Sequence, residues 1–152
     1  VLLSGPEPQR TLLENILLKA FEKTSKKILF VRGVISEEAI GIRKKNIKIL
    51  NYLYGTELEK AILSSEMIIS RSGYTTLMDL AKLEKKAFFI PTPGQPEQDY
   101  LASRMKKLGL APFCKQEDFK LSMLEETSGY SGLSAFGTIG DPSRFFGLFK
   151  GK

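Results

Sequence analysis

The segment Ser70-Arg71-Ser72-Gly73-Tyr74-Thr75-Thr76-Leu77-Met78-Asp79 carries the strongest chemical signal in the chain. An apolar run, Met67-Ile68-Ile69, leads into a Ser-Arg-Ser-Gly turn, and a helical pattern starts at Tyr74. The first amides of a helix have no intrahelical acceptor and lie at the positive end of its dipole. The amides of Tyr74, Thr75 and Thr76, flanked by two threonine hydroxyls, therefore suit a diphosphate. With the turn residues Ser72 and Gly73 they make up the expected diphosphate site. Asp79 follows Thr76 by three residues and Thr75 by four, so it shares their helix face one turn deeper. A carboxylate there can accept from a ribose diol. The plainer reading is a capped helix whose Asp79 is solvated. Arg71 reads either as a contact to the diphosphate or as an internal brace paired with a carboxylate.

Two further loops have suitable chemistry. Ser4-Gly5-Pro6-Glu7-Pro8-Gln9-Arg10 follows the first apolar run, and Gly5 would let backbone approach an anion at the start of the next helix. It matches neither a Walker loop nor GxGxxG, and an ordinary turn into a helix reads equally well. Glu7 places a negative charge where a phosphate is expected, which calls for the carboxylate to point away. Pro91-Thr92-Pro93-Gly94-Gln95-Pro96 is stiffened by three prolines and precedes Glu97, Gln98 and Asp99 in a helical first turn. Amide and carboxylate side chains at one rigid spot suit sugar hydroxyls, which both donate and accept. Acids interacting with the helix dipole account for the same residues.

Alternating elements must position these loops. Short apolar runs predict strands at Val1–Ser4, Ile28–Arg32, Ile47–Leu50, Met67–Ser70 and Ala87–Ile90, with a weaker one at Ala111–Cys114. Helical stripes lie between them: Leu12, Leu13, Ile16, Leu17 and Ala20; Leu58, Ala61 and Ile62; Leu77, Leu80 and Ala81; Leu101, Met105 and Leu108 before Gly109. A further helix is expected over Glu117–Glu126. The alternation predicts an α/β, Rossmann-like parallel sheet of about six strands with helices on both faces. Ligands then belong at the carboxyl ends of the strands. Residues 1–126 form the expected domain. Residues 127–152 change texture to Gly, Ser and aromatics and read as a C-terminal tail.

Composition narrows the chemistry. The 152 residues suffice for one domain, with 42% hydrophobic and 26% charged residues. Histidine is absent, which removes the commonest general base and every Ser–His or Cys–His arrangement. The single cysteine, Cys114, excludes an internal disulfide and a cysteine-based zinc site, so a reducing compartment is the default. The charge of +6 and pI of about 9.4 fit a lysine-rich surface or attraction to a polyanion. No aromatic-interleaved basic stripe appears, so no nucleic acid is expected. No apolar run approaches the roughly twenty residues that span a bilayer, and no signal-peptide pattern is visible. The first residues already read as strand, so the expectation is a piece of a longer protein cut at a domain boundary.

In order and spacing the chain resembles the C-terminal domain of family 28 glycosyltransferases, the GT-B group that includes the peptidoglycan GlcNAc transferase. The resemblance covers roughly residues 1 to 126. It rests on Arg71-Ser72-Gly73, Thr76, Asp79, Pro91 and Gln98, which look like the family's Arg-Ser/Ala-Gly-x-x-Thr, its following acid, and its strand-ending Pro and Gln pair. It implies a UDP-sugar-dependent hexosyltransferase whose diphosphate lies on Tyr74, Thr75 and Thr76. Asp79 would hold the ribose, and Gln98 with Asp99 the sugar. The segment Asn51-Tyr52-Leu53 looks like the family's base-recognition stretch, with Tyr52 and Leu53 at the uracil. Gly5 would lie near the phosphates and an interdomain cleft. The resemblance also puts the acceptor and catalytic base on an N-terminal domain or partner subunit, so this chain alone is expected to be inactive. Three features depart from the pattern: Asp79 stands where Glu is usual, Asp99 replaces the second Gln, and the family's glycine-rich first loop is here the stiffer Gly5-Pro6-Glu7-Pro8 with its negative charge.

No Asp-x-Asp cluster is present, so no metal and no cofactor is expected. The expected location is the cytoplasm, with peripheral contact at the inner membrane face. The basic, phenylalanine-rich stretch Arg144–Lys152 would support such docking, or pack on this or the missing domain. Two other readings of the same residues stay open: a nucleotide-sugar hydrolase or epimerase, and a non-catalytic subunit of a split glycosyltransferase.

Overall fold

The computed structural model describes residues 1–35 and 46–134. Among these residues four α-helices and four strands follow in the order α1 (Gln9–Phe21), β1 (Ile28–Val31), β2 (Ile47–Leu50), α2 (Gly55–Ser64), β3 (Ile68–Ser70), α3 (Tyr74–Lys82), β4 (Ala87–Phe89) and α4 (Pro96–Lys107). The strands form two parallel pairs. In the first, Ile28 to Val31 face Ile47 to Leu50; in the second, Ile68 to Ser70 face Ala87 to Phe89.

Leu2 stands between the pairs, bridged in parallel to both Val31 and Ser70. Its amide donates to Ile69 O at 2.8 Å, and the Leu3 amide donates to Val31 O at 2.9 Å. Beyond β4, Phe113 bridges Phe89. The lateral order is therefore β2, β1, the Leu2 segment, β3, β4, then the Phe113 segment.

The expectation of about six strands is corrected to four among the described residues. The first and last runs, Val1–Ser4 and Ala111–Cys114, are reduced to isolated bridges at Leu2 and Phe113. Pro112, inside the last run, lacks the N–H a ladder needs, and the first run ends where Gly5 turns away at φ +103°. The expected helix over Glu117–Glu126 is also replaced, by 3-10 segments at Gln116–Asp118 and Leu121–Gly129. Phe119, buried between them against Phe88, pins the chain where a continuous helix would have passed.

Strand side chains alternate between two cores, as the two-residue period of a strand requires. Ile69, Phe88 and Ile90 join Phe30, Ile47 and Ile49 beneath Leu13, Leu17 and Phe21 of α1. Ile68, Ala87 and Phe89 meet Ile62 of α2, Leu77 and Leu80 of α3, and Leu101 and Met105 of α4. Helices thus cover both faces, and every parallel strand ends on the same edge. From Thr127 the chain continues onto the second core. The Leu133 side chain is fully buried there, and its amide donates to Lys85 O at 3.0 Å. The stretch Arg144–Lys152 lies outside the described residues.

Candidate functional site

The turn after β3 is held from below by Arg71, which is 1% exposed. Its Nη1 donates to Ile90 O at 3.0 Å and Pro91 O at 2.9 Å. Its Nη2 donates to Gln9 O at 2.9 Å and Gln116 Oε1 at 2.6 Å. Gln116 Nε2 closes the ring onto Gln9 Oε1 at 2.9 Å. One guanidinium thereby ties the start of α1, the end of β4 and the segment past Phe113 to the β3 turn. Burial pushes its pKa down to about 10. The brace reading of Arg71 is the one observed, with main-chain carbonyls and an amide as acceptors in place of a carboxylate. The sequence does not single out Gln116, and it places Gln9 in the first loop without a role of its own. Their only signal is polarity in otherwise amphipathic stretches.

Gly73 caps α3 in extended conformation without a side-chain bond, and the first intrahelical bond runs from the Leu77 amide to Gly73 O at 3.0 Å. The amides of residues 74 to 76 thus precede the helical ladder, at the carboxyl end of β3. Thr75 is exposed and Thr76 half-buried beside them. Ser72 is fully buried, and its Oγ donates to Gln98 O at 2.8 Å. Its expected part in the diphosphate site narrows to the backbone, because the hydroxyl fastens the turn to α4. Asp79 is exposed on α3.

Gln98 joins the second and third loops. Its Oε1 accepts from the Thr92 amide at 2.9 Å, which fixes the loop after β4. Its Nε2 has no partner among the described residues and can donate to a ligand hydroxyl. Asp99 is exposed one residue on, and Pro96 starts α4 with Glu97 and Asp99 in its first turn.

The first loop packs against the third. Gly5 at φ +103° leaves the space where a Cβ would stand 3.5 Å from Thr92 Oγ1. That hydroxyl and Ser70 Oγ are buried at the strand ends without a hydrogen-bond partner among the described residues. Glu7 points onto α1, accepting from Arg10 Nε at 2.6 Å and the Thr11 amide at 3.2 Å. Hydrogen bonding by Thr11, and then Arg10, holds its carboxyl below the usual range. Its charge is thus matched by Arg10.

Tyr52 and Leu53 lie between β2 and α2. The rings of Tyr52 and Tyr54 meet at a tilt of 49° with centroids 4.7 Å apart, and both are exposed. By the lateral order this segment is three strand spacings from the β3 turn, or about 14 Å. Among the described residues, no group of three or more His, Cys, Asp or Glu is placed to hold a metal ion. No helix there is long and apolar enough to cross a membrane.

Comparison with known proteins defines the class. Residues 1–128 match the model of the glycosyltransferase family 28 C-terminal domain, and the chain belongs to that family. The UDP-N-acetylglucosamine–N-acetylmuramyl-(pentapeptide) pyrophosphoryl-undecaprenol N-acetylglucosamine transferase of Sulfurihydrogenibium sp. (strain YO3AOP1) is 24% identical over 128 residues. That match covers 83% of this chain and 36% of the relative. An uncharacterized glycosyltransferase of Methanopyrus kandleri is 29% identical over 112 residues, covering 74% of this chain and 31% of its own length. The chain thus spans about a third of the length of the curated relatives it matches.

Two solved structures share the fold. MurG of Acinetobacter baumannii superposes with a TM-score of 0.61 at 19% identity, over 87% of this chain and 42% of that one. The glycosyltransferase SnogD of Streptomyces nogalater gives 0.62 at 12%, over 83% and 33%. The architecture is the α/β fold of GT-B glycosyltransferases.

Proposed function

We propose that this chain is the donor-binding half of a UDP-sugar-dependent glycosyltransferase of the hexosyl-transferring kind. The observation that carries the reading is the α3 N-terminus. Three amides precede the helical ladder at the carboxyl edge of a parallel sheet, on a turn anchored by a buried arginine. Diphosphate lies on the backbone of residues 72 to 76, with Gly5 beside it. Asp79 holds the ribose, Tyr52 and Leu53 the base, and Gln98 Nε2 with Asp99 the sugar. As the carbon–oxygen bond to the sugar breaks, negative charge grows on the departing diphosphate. Amides fixed before the reaction stabilise that charge without reorganising. The work is done by backbone and dipole, so metal is not needed. Acceptor and general base belong to an N-terminal domain or partner subunit, and the assembled enzyme works in the cytoplasm at the inner membrane face.

Titration calorimetry of the chain with UDP, GDP and TDP, each with and without EDTA, tests this. The reading requires UDP to bind in the micromolar range, ahead of the other two and unaffected by EDTA. Absence of UDP binding, or binding that EDTA abolishes, would overturn it.

A further inference from the structure

A chain of charged side chains runs along α1 from the first loop to the segment after β2. Arg10 pairs with Glu7 and, through Nη1, with Glu14 Oε2 at 2.8 Å. Glu14 Oε1 accepts from Arg32 Nε at 2.7 Å. Arg32 Nη1 then reaches Asn51 Oδ1 at 3.3 Å. Arg10 and Glu14 are each 6% exposed, so this row is built into the protein and little screened by solvent. Two main-chain bonds run alongside it, from the Arg32 amide to Leu50 O at 2.9 Å and from the Val34 amide to Asn51 O at 3.0 Å. Asn51 directly precedes Tyr52.

We infer that Arg32 is a positioning residue, which fixes the Asn51–Leu53 segment through a relay anchored on α1 by Glu14. The inference rests on the reading of Tyr52 and Leu53 as the base contacts. An arginine suits the task because its planar fork binds Glu14 with one nitrogen and Asn51 with another. A lysine can keep the ion pair but cannot hold both partners in that geometry. A held segment presents its base contacts without an ordering cost at each binding event. Arg32 thereby acts on recognition of the base, while the diphosphate is bound on the far side of the Leu2 segment.

The test uses Arg32→Lys, Asn51→Leu and the double variant in the full chain, titrated with UDP and with inorganic pyrophosphate. Loss of one hydrogen bond predicts about fivefold weaker UDP binding for each single variant. Pyrophosphate affinity is expected to stay within about twofold, since the amides of α3 are untouched. The double variant is expected near fivefold, whereas independent effects would multiply to about twenty-five. Equal losses for UDP and pyrophosphate, a multiplied loss in the double variant, or unchanged UDP affinity would each overturn the inference. Hydrogen exchange in the ligand-free chain is a separate arm. The Val34 amide, bonded to Asn51 O, is expected to exchange several-fold faster in Arg32→Lys, with amides in α4 unchanged. If the unmodified chain binds neither UDP nor pyrophosphate, the donor reading fails by itself, and unaltered Val34 exchange then refutes the role of Arg32.

Discussion

Arg71 Nη2 and Gln116 Oε1 stand 2.6 Å apart, closing a contact between residues 45 positions apart in the chain. That contact and the three carbonyls on the same guanidinium hold four segments of the sheet's carboxyl edge in one arrangement. Arg71→Met leaves those acceptors buried and unmatched, and is expected to destabilise the chain by roughly 4 kcal/mol. Arg71→Lys, which keeps the charge and fewer bonds, is expected to cost about half that. Urea unfolding of both variants checks this, and a loss below about 1 kcal/mol for Arg71→Met would refute the brace.

Gly33 lies just past β1 at φ +67°, and a Cβ there would stand 2.5 Å from Leu3 O. Gly33→Ala combines a left-handed backbone with a clash against main chain. It is expected to cost about 2–3 kcal/mol, read as a lower thermal midpoint. An unchanged midpoint would contradict the packing of the Leu2–Leu3 segment against the end of β1.

Glu7 has a carboxyl pKa below its ordinary 4.5 in the folded chain, through Thr11 first and then Arg10. For a depressed acid, stabilisation is present above the unfolded pKa and disappears as pH falls through the folded value. Glu7→Gln is therefore expected to unfold at lower temperature than the original at neutral pH. The gap should close as both are taken to about pH 3. A gap that persists in acid would show that the carboxylate's charge is not what matters.

Cys114 has its thiol pushed up to about 12 by burial and then by Asp118, Glu126 and Glu117. Near pH 8 its thiolate fraction is about a thousandfold below that of an ordinary cysteine. Iodoacetamide labelling of the native chain is expected to be at least about a hundredfold slower than of the urea-unfolded chain. Comparable rates would contradict that environment.

Much of the scaffold was legible from periodicity. The runs at Ile28–Arg32, Ile47–Leu50, Met67–Ser70 and Ala87–Ile90 are strands to within a residue: β3 and β4 are buried on both faces and read as apolar runs, while β2 alternates around the exposed Lys48. Helices α1 to α4 fall on the four stripes read from sequence, and the Ser70–Gly73 turn leads into α3 where expected. The end runs misled because Ala111–Cys114 has strand-like side chains but a proline in its backbone, and Val1–Ser4 runs directly into the turn at Gly5. Illegible too were the tertiary duties of polar residues. Nothing local distinguishes Gln116, which fastens Arg71, from a solvated glutamine. Nor does spacing reveal that Gln98 divides its amide, with Oε1 on the Thr92 amide and Nε2 left over. Glu7, an awkward charge in the sequence, made sense only with Arg10 folded against it.

On the proposed function, the N-terminus of α3 receives the diphosphate of a nucleotide sugar. Amide-resolved NMR of the labelled chain, titrated with UDP and a panel of UDP-sugars, tests this. The largest shifts are expected at residues 72 to 76. Smaller ones should appear at Asp79 and at residues 51 to 53, and shifts at Gln98 and Asp99 only when the sugar is present. Asp79→Ala should weaken UDP binding about tenfold through loss of a charged hydrogen bond to the ribose. Shifts centred away from the α3 N-terminus, or an Asp79→Ala chain that binds UDP as well as the original, would contradict it.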